Sequence, residues 1–131
     1  MQGVEIHTDR VADPGRFGSP TSLGIRVENF IFVSGMMPWD VERKVVGVGD
    51  IGAQTRQALA NMAAVLEACG ASLQDVIKIT FFLTDIRNKG PVWQVRKEMF
   101  GEHRPASTLV AVSSLVDPLA LLEVEAVAYK P

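Results

Sequence analysis

The clearest order along the chain is an alternation near its C-terminus, where Leu122, Val124, Ala126 and Ala128 recur at every second position with Glu123 and Glu125 between them. Period two marks a β-strand with one buried face, here over residues 121–129. Residues 76–83 read the same way, with Ile77, Ile79, Phe81 and Leu83 expected on the core face and Val76, Lys78, Thr80 and Phe82 on the other. Two shorter runs, 23–27 and 30–34, are separated by Glu28-Asn29, the spacing of a two-residue hairpin, and Asn29 tolerates the left-handed backbone such a turn needs. A further strand is expected over 107–113, and residues 1–8 fit a short edge strand. The segment 9–22, with Pro14, Gly15, Gly18 and Pro20, reads as a structured loop, and 39–49 as a loop or irregular hairpin.

Elsewhere the period changes to that of a helix. Thr55, Leu59, Met62, Leu66 and Cys69 fall on one stripe, with Asp50 as the N-terminal cap and Gly70 as the stop. Pro91 suits the first turn of a second helix that runs to Phe100, with Val92, Val95, Met99 and Phe100 as its buried stripe. These elements predict an α+β fold: a mixed, mainly antiparallel sheet with two helices packed on one face. The other face is expected to carry Leu109, Leu121, Val127 and Tyr129 beside two carboxylates, and no element remains to cover it. A second subunit is the economical cover, and the mixed polar and apolar residues there suit a cleft between subunits.

Composition narrows the function. At 131 residues the chain fits one domain over 1–131. Thirteen Lys and Arg against fifteen Asp and Glu leave a net charge of -2, which disfavours nucleic acid as a partner. Charges interrupt every hydrophobic segment, so no membrane span is expected. A single cysteine, Cys69, and an opening MQGVEIHTDR without the apolar run of a signal peptide point to the cytoplasm. The two histidines, His7 and His103, lie far apart and match no metal-ligand spacing, so no metal is expected.

Three sets of residues invite a chemical reading. Gly47, Gly49 and Gly52 in GVGDIG match a dinucleotide-binding pattern, yet no firm strand precedes them, and Asp50 would occupy the helix amides and repel phosphate. A glycine-rich turn entering a helix is the better reading. Glu123 is a carboxylate inside an apolar strand, where partial drying would raise its pKa and suit acid/base work; the competing reading is an interface ion pair. Ser34 and Gly35 end a strand beside a Met-Met-Pro loop, so the serine hydroxyl and the backbone amides are placed to orient a polar ligand group.

The strings FIFVSGMMP at 30–38, QTRQALANMAAVLEACGASLQDVIK at 54–78, FFLTDI at 81–86, RPA at 104–106 and LLEVEAVAYKP at 121–131, in this order, resemble the RidA family, also called the YjgF family. The resemblance runs from about Phe17 to Tyr129. It implies a chorismate-mutase-like fold, a homotrimer, and small-molecule clefts between subunits. It also implies deamination of enamines and imines without metal or cofactor, a hydrolysis of a C=N bond that releases ammonia. On the family pattern Glu123 is the catalytic carboxylate and helps position the water, while Ser34, Gly35, Thr21, Trp93, Ser107 and Leu109 take the substrate-binding positions. Ser107 stands where the family carries the arginine that holds the substrate carboxylate, Thr21 where it carries a tyrosine, Trp93 an asparagine and Leu109 a frequent cysteine. The expected substrate is therefore a non-standard one, larger or less charged, with Arg104 as a possible replacement cation. The alternative is a trimeric small-molecule-binding protein that keeps the cleft without the chemistry. An endoribonuclease fits less well, because the histidine-poor, acidic chain offers neither a general-base pair nor a phosphate clamp.

Overall fold

Six strands and two α-helices follow one another along residues 3–131, which the computed structural model describes: β1 (Val4–Glu5), β2 (Gly24–Val27), β3 (Phe30–Met36), α1 (Ile51–Glu67), β4 (Val76–Leu83), α2 (Lys89–Phe100), β5 (Ala106–Ala111) and β6 (Leu122–Tyr129). Residues 1–2 of the expected edge strand lie outside the described residues. The strands form one sheet in the order β1-β2-β3-β6-β4-β5. All neighbours pair antiparallel except β4 and β5, which run parallel with α2 as the crossover between them.

The core lies between the sheet and the two helices. Leu122, Val124, Ala126 and Ala128 of β6 are buried, as their alternation predicts, together with Ile31, Val33, Ile79, Phe81 and Leu83. From α1 the expected stripe of Thr55, Leu59, Met62 and Leu66 closes on them, and Cys69 packs at the rim just beyond the helix. Asp50 caps α1 by accepting the Ala53 amide at 3.1 Å. Gly70 ends the segment with φ +80°, a conformation a side chain would resist. On the opposite face Phe32, Val110 and Tyr129 stay well exposed.

Three sequence expectations need correction. Ile77 is 45% exposed while Val76 is buried, because the β4–β6 register shifts between Val76 and Lys78 and reverses the alternation there. The hairpin residue with positive φ is Glu28 at +53°, not Asn29. Its carbonyl is held by Arg26 Nε at 3.0 Å, and the next one by the Lys130 amide at 2.8 Å, so contacts outside the turn set its geometry. Leu109 does not belong to the open face. Parallel pairing sets it beside buried Phe81 and packs it against the core, and Ser107 lies beside Ile79 on the same side.

Buried amide side chains of α1 attach the loops to this frame. Gln54 is fully buried; its Nε2 donates to the carbonyls of Gly47 and Leu119, both at 3.1 Å, and its Oε1 accepts the Leu121 amide at 2.7 Å. Replacing it by leucine keeps the volume and orphans three backbone groups. Gln54→Leu should therefore cost about 2–4 kcal/mol, read as a lower midpoint in urea unfolding; a loss below about 0.5 kcal/mol would mean that these groups find other partners.

Candidate functional site

A cavity of about 470 Å³ opens between the first loop, the end of β3, the loop that follows it and β6. Its floor exists because β3 carries one extra residue there. Val33 pairs with Ala126 and Met36 with Val124, three steps against two. The shift turns Val33 and Met36 both into the core and leaves Ser34 half-buried and Gly35 exposed, both lining the cavity.

Glu123 projects from β6 against Gly35. A Cβ on Gly35 would lie 2.8 Å from the Glu123 carboxyl carbon, so the carboxyl occupies the space that glycine leaves open. Among the described residues this carboxyl has neither a hydrogen-bond donor nor an ion-pair partner. Burial pushes its pKa up, and the negative charge of Glu125 adds to the shift. A neutral carboxyl can donate a proton and its carboxylate can take one back, which is what general acid/base chemistry requires.

Ser34 contributes differently from the sequence expectation. Its hydroxyl donates to the Ser22 carbonyl at 2.7 Å and its amide to the Leu23 carbonyl at 3.0 Å. What it can offer a ligand is therefore a pair of oxygen lone pairs, suited to accept from a water or an N–H group. Thr21, also on the cavity wall, shares a 2.9 Å hydrogen bond with Ser19.

The cavity thus brings together Thr21, Ser34, Gly35 and Glu123, but not the other three predicted positions. Trp93 is 46% exposed on α2, in a separate depression of about 410 Å³ shared with Arg96, His103 and Arg104. Ser107 Oγ accepts from Arg96 Nη1 at 2.6 Å, and Leu109 packs on the core side of β5. Arg96 rests over the rings of Phe81 and Phe100, and burial pushes its pKa down. So the cation beside Ser107 is Arg96, whereas Arg104 is exposed and makes no hydrogen bond among the described residues.

Sequence reasoning missed Asn61 and Arg43, which also line the cavity. Asn61 is buried in α1 and donates from Nδ2 to the carbonyls of Met37 and Trp39, both at 2.9 Å. A polar residue inside a helical apolar stripe was the available signal for it. For Arg43 there was none, since its place depends on a turn geometry and on Phe17 of a distant segment.

Because the Glu123 pKa is raised, the native state holds a proton that the unfolded chain releases at lower pH. The resulting stability is present at low pH and is lost as pH climbs from the ordinary carboxylate range through the raised native value. Glu123→Gln removes that loss. Its melting temperature should thus exceed that of the native chain by a margin that widens over this window and then levels off; a pH-independent or opposite difference in thermal melts contradicts a dry carboxyl.

Residues 17–130 match the family model described as Endoribonuclease L-PSP. A RutC family protein of Pyrococcus abyssi is 45% identical over 111 residues, covering 85% of this chain and 87% of that protein. The 3-aminoacrylate deaminase RutC of Acinetobacter baylyi is 41% identical over 111 residues, with the same 85% and 87% coverage. The crystal structure of a Thermotoga maritima protein superposes with a TM-score of 0.91 at 38% identity, covering 100% of this chain and 99% of that one.

Proposed function

Because the chain belongs to the Endoribonuclease L-PSP family, also called the RidA or YjgF family, we infer that it is a metal-free deaminase that hydrolyses the C=N bond of a small imine or enamine. The observation that carries this reading is the partly dry, unpaired carboxyl of Glu123 facing Gly35. Protonated Glu123 gives its proton to the substrate, an imine at nitrogen or an enamine at carbon to form the iminium. Water adds to the iminium carbon while the carboxylate takes a proton from it. The carbinolamine then collapses to a carbonyl and ammonia, with the proton returned through the same carboxyl. Ser34 Oγ, its own hydrogen already donated, accepts from the water or the substrate nitrogen. The likeness to a 3-aminoacrylate deaminase supports this substrate class. Neither histidine lines the cavity, and His103 is bonded to the Val76 carbonyl at 2.7 Å, which speaks against a histidine-based ribonuclease.

The working form in this proposal is a homotrimer. Phe32, Val110 and Tyr129, at 47%, 39% and 41% exposure, make the open sheet face apolar enough to need a cover. A neighbouring subunit laid there would bring its Trp93, Ser107 and Leu109 edge towards this cavity and complete the cleft.

Two measurements test the proposal. Ammonia release from freshly generated 2-aminoacrylate and 3-aminoacrylate should exceed the uncatalysed rate for one of them, and Glu123→Gln should lower kcat/KM by about a hundredfold or more. Gly35→Ala should fold, since only the flexible end of Glu123 has to move, and should lose activity to a similar degree. The rate should fall as pH rises past the raised Glu123 pKa. Turnover unchanged in Glu123→Gln would remove this mechanism. No release from either compound, with ligand binding retained, would favour a binding protein. Sedimentation equilibrium should give three times 14.2 kDa, and a monomer would contradict the shared cleft.

A further inference from the structure

Arg43 sits in a turn built to hold it in one place. Asp40 Oδ1 accepts the amides of Glu42 at 2.8 Å and Lys44 at 3.0 Å, the Arg43 amide donates to the Asp40 carbonyl at 3.1 Å, and Trp39 bridges to Val45 across the turn. Arg43 itself takes φ +60°, a left-handed conformation that is unfavourable for a side chain of its size. The guanidinium carbon lies 4.6 Å from the centre of the Phe17 ring and 4.8 Å from that of Trp39, so two aromatic faces orient its plane. Trp39 is in turn fixed by its indole N–H, which donates to Asp117 at 2.8 Å.

This guanidinium, held so firmly, has nothing to bind. Its Nε is buried without a partner, and among the described residues neither terminal nitrogen makes a hydrogen bond or an ion pair. The other arginines differ. Arg10, Arg16, Arg56 and Arg87 pair with carboxylates, Arg26 holds backbone carbonyls, and Arg96 holds Ser107. Arg104 is also unpaired, but it is exposed and lies in the other depression. Arg43 alone among the eight lines the cavity with Ser34, Gly35 and Glu123. A planar fork of donors, held between rings and left unsatisfied on the wall of the cavity that holds an acid/base carboxyl, fits a planar anion.

We propose that Arg43 holds the carboxylate of the ligand in the Glu123 cavity, so that the preferred substrate is a carboxylic acid and not its uncharged counterpart. This rests on the deaminase reading for the word substrate, but not for the binding itself. The carboxylate that position 107 cannot hold is held instead from the loop after β3.

The probe is pyruvate, the product expected from 2-aminoacrylate, compared with its uncharged amide by titration calorimetry on the full chain. The native protein should bind pyruvate more tightly than pyruvamide. Arg43→Met should weaken pyruvate at least about tenfold and pyruvamide much less, so that the preference is lost. Arg43→Lys, which keeps the charge without the fork, should recover part of the preference. Melting temperatures of both variants should stay near the native value, because Asp40 and the backbone hold the turn; a misfolded Met variant would leave the Lys variant and its pyruvate-to-pyruvamide ratio as the test. An unchanged ratio in the folded variants, or a native protein with no preference for pyruvate, overturns the proposal. Loss of the ratio without any ammonia release keeps Arg43 as the anion clamp and removes the deaminase reading. Ammonia release with unchanged KM in Arg43→Met does the reverse.

Discussion

The structure turns on the side chain of Asn61. It leaves the buried face of α1 and ties the carbonyls of Met37 and Trp39 to the helix, while Gln57 supports it with a 2.9 Å bond to its Oδ1. A loop that leaves a sheet edge carries backbone groups that must be paired if they are buried. Here the pairing comes from the helix that also seals the core. Position of the loop after β3 is therefore coupled to the packing of α1, and Gln54 does the same for the loop that enters β6.

Within that frame a local irregularity makes the chemistry. The extra residue in β3 keeps Val33 and Met36 in the core and releases Ser34 and Gly35 from the alternation. Glycine at the second position leaves room for the Glu123 carboxyl, which gains no partner among the described residues and loses part of its water. A regular strand would send residue 35 inward, and any larger residue there would displace the acid. The site thus needs one departure from the period and one missing side chain.

Much of this was legible in the sequence. Alternation in β6 and the four-three spacing in α1 reflect burial against a single core, so they report the fold directly. Glu123 stood out because a charge inside such a pattern is costly unless it has a use. What stayed hidden depends on pairing across the sheet. Parallel pairing of β5 with β4 carried Ser107 and Leu109 to the helix side, and the register shift beside Val76 exposed Ile77. Neither event leaves a local mark. Arg43 is hidden for a related reason: Phe17 meets it, with Trp39 on the other side, only once the first loop has folded against the turn after β3.

Partial burial and the neighbouring Glu125 raise the pKa of the Glu123 carboxyl, which is then not one half of an ion pair across an interface. A carbon-13 NMR titration of the side-chain carboxyls of the full chain, with the Glu123 signal assigned by its loss in Glu123→Gln, measures this. The expected midpoint lies above the ordinary glutamate range. A midpoint at or below that range, as an arginine or lysine partner would produce, would contradict it.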